Sequence, residues 1–148
     1  MFSVILWGIY VFLSFVLIGN IMFSNQGVIY LLNSFLFTIC ATTIAFFIGN
    51  LVSNKDAING IVNVIALGSS FLCGAFVPME WLPDGVLKIA HILPSYYYIS
   101  SNETLKKLEI FNLETLKPII MNMFIIILFS IIFIILTNIV SKRKQQIG

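Results

Sequence analysis

The sequence predicts an all-α fold: a polytopic membrane bundle of four spanning helices, with a re-entrant or interfacial helical hairpin before the last span. Three observations predict it. Hydrophobic residues make up 59% of the 148 and charged residues only 9%, where a soluble domain carries roughly a quarter charged. The charges are segregated: none falls between Phe2 and Asn54, between Ala57 and Met79, or between Pro118 and Ser141. Three prolines, Pro78, Pro83 and Pro94, punctuate the polar stretch before the last apolar run. This composition excludes a secreted disulfide scaffold, a disordered tail, a nucleic-acid binder and nearly every soluble enzyme.

The first apolar run, residues 2–23, is long enough to span a hydrocarbon core that needs roughly 20 helical residues. It has no basic flank and no small-residue cleavage site, so it reads as a mature span rather than a signal peptide. Ser24 to Gly27 make a polar turn, and residues 28–52 form the second span. A short loop carrying Lys55 and Asp56 leads to the third span, residues 58–77, which Pro78 stops. Residues 119–140 form the fourth, followed by Lys142, Arg143 and Lys144. All four belong to a single transmembrane domain, residues 1–148, and helix is the form that satisfies backbone groups in lipid. The basic tail favours a cytoplasmic C-terminus. With four spans the N-terminus is then cytoplasmic too, and residues 78–117 are extracytoplasmic.

Small residues recur at four-residue steps as Ala41, Ala45 and Gly49 in the second span, and as Ala66, Ser70 and Gly74 in the third. Such faces let helices approach closely in lipid. On the fourth span, Asn122, Ser130 and Thr137 fall within about 80° of one another at 100° per residue, a stripe expected to face protein. Asn33, Asn63 and Asn122 are the deepest amides, suited to inter-helix hydrogen bonds or to lining a polar pathway. Between spans three and four, a short helix is expected from Asp84, which caps it, to Leu93. A second amphipathic piece is expected from Ser101 to Lys117, with Ser100 and Glu103 at capping-box spacing and Glu103 paired to Lys106 or Lys107.

Chemistry is conspicuous by what the sequence lacks. It has no phosphate-binding glycine loop, no His-Glu-x-x-His and no carboxylate inside a span, so no catalytic, cofactor or metal residues are assigned. His91 reads as a tolerated interfacial residue, Glu80 as an interfacial carboxylate, and Cys40 and Cys73 as small packing groups. Asn102-Glu-Thr104 matches a glycosylation sequon without further support.

The run Gly74-x-x-x-Pro78-x-x-x-Leu82-Pro83, followed by Ile89-Ala90-x-x-x-Pro94-x-x-Tyr97, resembles the hallmark of ABC-2-type transporter permeases. Gly49-x-x-x-Ser53 with its short charged loop is similar to that family's link between its fourth and fifth helices. The resemblance covers the chain from about Phe35 to its end. It implies a permease subunit of an exporter: two permease subunits form the pathway, and separate ATP-binding subunits drive it. The partners implied are an ABC ATP-binding subunit, a second permease subunit in a homo- or heterodimer, and the lipid bilayer. Family members have six helices and this chain resembles the last four, so it is expected to be part of a longer permease. The alternative is a stand-alone four-helix accessory or immunity protein with no transport activity of its own.

Overall fold

A computed structural model describes residues 2–147 of the chain. Helix α1 spans Phe2–Ile18 and gives way to a 3₁₀ turn at Gly19–Phe23. The α-helix therefore stops short of the expected Phe23, because Gly19 adopts φ +65°, a left-handed conformation that ends the α-helical ladder. Helix α2, Asn25–Leu51, begins earlier than expected. The Ser24 hydroxyl accepts from the Gly27 amide at 3.2 Å, so the polar residues taken for a turn form the capped first turn of the helix.

Helix α3 spans Lys55–Leu72. The Asn54 side chain caps it by accepting from the amides of Asp56 and Ala57, and Asp56 adds a favourable negative charge to the first turn. Its far end differs from expectation. Pro78 does not stop it; Gly74 does. Gly74 sits at φ +91°, and the Ala75 amide reaches back to the Ser70 carbonyl at 3.0 Å, as in a Schellman motif.

A 3₁₀ turn at Met79–Trp81 leads to α4, Asp84–Ala90, and then to α5, Pro94–Lys106. Pro83 occupies the N-cap place of α4 and Asp84 is already its first helical residue, so Asp84 does not cap it. The expected second piece over 101–117 is also displaced. Pro94 starts α5 as its first residue, where a missing amide costs nothing. Ser100 and Glu103 are consequently inside α5 and form no capping box. Helix α6 spans Leu113–Ile147, longer at both ends than the expected 119–140, with Pro118 within its second turn.

The core lies where α2, α5 and α6 meet. Ile119, Ile126 and Ser130 of α6 are buried with Ser101 and Leu105 of α5 and with Asn33, Ser34, Cys40 and Ile48 of α2. Phe47 packs edge-on against Phe133, with ring centroids 5.6 Å apart. On α6, Ser130 is buried and Asn122 and Thr137 are half-buried, so the stripe at helical spacing does face protein. Ser130 and Thr137 return their hydroxyls to the carbonyls of Ile126 and Phe133, which satisfies both within the helix itself. Outward lie Ile120, Phe124, Leu128, Ile131 and Ile135.

Helix α1 docks on α2 through Trp7, whose ring lies 4.9 Å from that of Phe35 and whose Nε1–H donates to Ser34 Oγ at 3.0 Å. Helix α3 buries no residue of its own. Among the described residues, α2 and α6 are long and apolar enough to cross a membrane, and α1 is a shorter apolar helix. Both long helices are mostly exposed, unlike the core helix of a soluble protein.

Candidate functional site

The prolines and glycine singled out in the sequence all stand at element boundaries. Gly74 follows the end of α3, Pro78 precedes the first turn after it, Leu82 ends that turn, Pro83 precedes α4, and Pro94 opens α5. A proline lacks an amide and prefers the start of a helix, so this spacing sets where the chain turns and how long each piece is. The product is α5, aimed back along α2.

Its placement rests on a polar seam. Gln26, Tyr30 and Asn33 follow one another at steps of four and three along α2, a single helix face. Gln26 Nε2 donates to the Leu105 carbonyl at 2.7 Å, and the Tyr30 hydroxyl donates to the Asn102 carbonyl at 3.1 Å. Asn33 Nδ2 donates to Asn102 Oδ1 at 2.8 Å and to the Tyr98 carbonyl at 3.0 Å. The partners run 105, 102, 98 as the donors run 26, 30, 33, so α5 is antiparallel to the first turns of α2. Deeper still, Tyr98 stacks on Phe37 with centroids 4.5 Å apart. On its other side, α5 meets α6, where Asn122 Nδ2 approaches Ser100 Oγ at 3.4 Å.

Asn33 is 1% exposed, and its Oδ1 has no partner; nor does the buried Ser101 hydroxyl. Of the three deep amides, Asn33 and Asn122 thus reach α5 from opposite sides. Asn63 is exposed on α3 and forms no hydrogen bond with another described residue. The two small-residue faces do not meet. Ala41, Ala45 and Gly49 are exposed on α2, as is Ala66 on α3, while the Ser70 hydroxyl bonds the Ala66 carbonyl of its own helix. Ala41 and Ala45 line an open groove of about 420 Å³ between α1 and α2.

Sequence reasoning passed over Gln26, Tyr30, Tyr98 and Asn102. The first two carried a usable signal, because with Asn33 they repeat at helical spacing. Asn102 drew notice only as part of a sequon. Among the described residues, no group of three or more potential ligands could hold a metal ion. The seam contains amides, a phenol and carbonyls, groups that hold helices in place and do no acid–base or nucleophilic work near neutral pH.

Outside the apolar helices, Glu80 and Lys107 form an ion pair at 2.8 Å that ties the turn after α3 to the end of α5. This replaces the expected pairing of Glu103 with a neighbouring lysine. The Lys107 hydrogen bond, and then its charge, hold the Glu80 carboxyl below its ordinary value of 4.5, while Glu80 raises Lys107 in return. Because the folded value of Glu80 is depressed, any contribution to stability is present above pH 4.5 and is lost as pH falls through the depressed value. Lys107→Met is expected to return the Glu80 titration to its ordinary value, followed by NMR of labelled glutamate. An unchanged titration would show that the pair does not form.

A family model described as ABC-2 type transporter matches residues 1–103. The chain belongs to the ABC-2 type transporter family. The match takes in α1 to α4 and most of α5, and so includes the donors of the polar seam and all but one of their partners. No curated protein and no solved structure matches the chain. The ABC-2 domain is a membrane permease and not itself a catalyst.

Proposed function

We propose that this ABC-2 permease domain is the membrane subunit of an ABC exporter, carrying part of the substrate pathway and driven by a separate ATP-binding subunit. It crosses the bilayer four times, using α1 with its following turn, α2, α3 and α6, with both termini cytoplasmic. A second permease subunit, identical or not, completes the pathway. The extracytoplasmic pieces α4 and α5 plug back between α2 and α6 and cap the outer end while the long helices rock.

The antiparallel seat of α5 against α2 carries this reading. From the level of Gln26 to that of Phe37, α5 reaches about 16 Å into the bundle at 1.5 Å per residue. A strut so anchored suits a cap that stays put during a transport cycle. The polar-small line Asn59, Asn63 and Ala66 on α3 is exposed among the described residues and suits the surface turned to a pathway or a second subunit.

Two experiments test the proposal. In a cysteine-free background, Glu109→Cys is expected to react with a membrane-impermeant maleimide on intact cells, and Lys55→Cys only after permeabilisation. The reverse pattern would overturn the topology. Affinity purification of the tagged protein from native membranes is expected to recover an ABC ATP-binding subunit. Recovery of the permease without one would favour an accessory role.

A further inference from the structure

We propose that the interior junction of α2, α5 and α6 binds one water molecule, held between Asn33 Oδ1 and the Ser101 hydroxyl. Both residues are 1% exposed, and neither of these atoms has a hydrogen-bond partner among the described residues. A buried polar atom in that state forfeits its bonds to water with nothing in exchange. Nearly all such atoms in folded proteins are paired, with protein or with ordered water.

The Asn33 amide is locked in its orientation. Its Nδ2 donates to Asn102 Oδ1 at 2.8 Å and to the Tyr98 carbonyl at 3.0 Å. Exchanging nitrogen and oxygen would set Oδ1 against both acceptor oxygens. Ser101 departs from the other buried serines. Ser34 and Ser130 return their hydroxyls to the Leu31 and Ile126 carbonyls of their own helices, and on α5 itself Thr104 bonds the Ser100 carbonyl. Ser101 makes no such bond, and the Tyr98 carbonyl one turn before it already accepts from Asn33.

The helices bring the two groups to one place. At 100° per residue, Asn33 lies about 40° round α2 from Phe47, whose ring meets Phe133 of α6, while its amide reaches α5. Ser101 lies about 60° round α5 from Tyr98, which stacks on Phe37 of α2. It lies about 40° from Tyr97, whose ring faces Phe129 of α6. Each orphan therefore sits between the other two helices. They are also level, because the two α5 residues that Asn33 contacts, Tyr98 and Asn102, bracket Ser101. Helix α6 adds Ile119 and Ile126, 1% and 0% exposed, to the same core.

The chemistry of the pair selects water. Asn33 Oδ1 only accepts, so its ligand must donate, whereas the Ser101 hydroxyl can donate or accept. Water gives a proton to the amide oxygen and pairs with the serine in either sense. Buried waters typically make about three bonds to groups that are otherwise unsatisfied. A hard cation would want about six oxygens, carboxylates among them. Neither α2 nor the part of α6 after Lys117 carries an Asp or Glu.

The proposal does not rest on the transport reading, and its tests read structure and stability alone. A density map of the full chain in nanodiscs, fine enough to resolve ordered waters, is expected to show one peak within hydrogen-bond distance of both Asn33 Oδ1 and Ser101 Oγ. A peak ringed by about six oxygens would mark a cation, and no peak would mark a dry junction. Either overturns the proposal. Substitution supplies an independent sign. Removing a hydroxyl that bonds nothing leaves a protein as stable as before, or more so. Ser101→Ala is instead expected to shift the unfolding equilibrium in mixed micelles about fivefold toward the unfolded state, because the water loses a partner. Combined with Asn33→Leu, the total shift should be about threefold smaller than the product of the two single shifts, although no direct bond joins the two side chains. A neutral or stabilising Ser101→Ala, or independent effects of the two substitutions, overturns the shared water.

Discussion

Asn33→Leu is expected to loosen α5 from α2 and to lower the stability of the bundle by about 2 kcal/mol, a population shift of roughly thirtyfold. The argument is one of stranded acceptors. Asn33 spends both amide protons on α5, at Asn102 Oδ1 and the Tyr98 carbonyl, and does so while 1% exposed. Leucine has the same branched outline, with bulkier methyl groups, and supplies neither proton. Asn102 Oδ1 and the Tyr98 carbonyl are then left facing an apolar side chain. Inter-helix hydrogen bonds in membranes are individually modest because the unfolded reference also finds partners. The stranded acceptor is what lifts the cost above that average. The measurement is denaturant unfolding of the purified protein in mixed micelles. Asn102→Leu alone should cost a similar amount, and the double variant should cost clearly less than the sum, since each single change already breaks the shared bond. Strict additivity would show that the two amides do not meet.

Gly74→Leu is the second large effect, again about 2 kcal/mol, but local in character. Gly74 sits at φ +91°, where an L-residue with a β-carbon is strained by roughly 1–2 kcal/mol. A β-carbon built there would also lie 2.6 Å from Met79 Cγ. The methionine can move aside, so the backbone term dominates. Ala75 and Phe76, whose amides both reach the Ser70 carbonyl, should lose hydrogen-exchange protection first. Gly74→Ala should show most of the effect, and adding Met79→Ala should return only the small steric part. Membrane insertion should persist while transport falls, because the apolar helices are untouched and the seat of the outer cap is not. Wild-type exchange at Ala75 in the leucine variant would sink the assignment. Full transport in Gly74→Leu or Pro83→Ala would do the same for the capping role.

The apolar helices were readable in the sequence because lipid leaves helix as the natural form for long uncharged runs. Their ends were not. Gly19 and Gly74 stop helices inside apolar stretches where composition gives no warning, and the proline at 78, which looks decisive, comes after the helix is over. Pro94 misled in the opposite direction: read as a breaker, it is the first residue of α5. The seam was half visible. Gln26, Tyr30 and Asn33 are side-chain donors at helical spacing, a pattern available to inspection. Three of their four acceptors are backbone carbonyls of Tyr98, Asn102 and Leu105, and a carbonyl has no signature in a sequence. The exposure of Ala41, Ala45, Gly49 and Ala66 was hidden for a different reason, since small residues read alike whether they meet a helix, a lipid or a groove.

Helix α6 has 35 residues, about 52 Å of rod at 1.5 Å per residue, against a hydrocarbon layer of about 30 Å. Some 20 Å of it must stand clear of the oily layer, beginning at one end with Leu113 and reaching at the other the basic residues after Ser141. The same rod meets α5 at Asn122, ten residues in from Leu113 when both ends are counted. One continuous helical rod therefore joins the contact with α5 to the basic residues after Ser141.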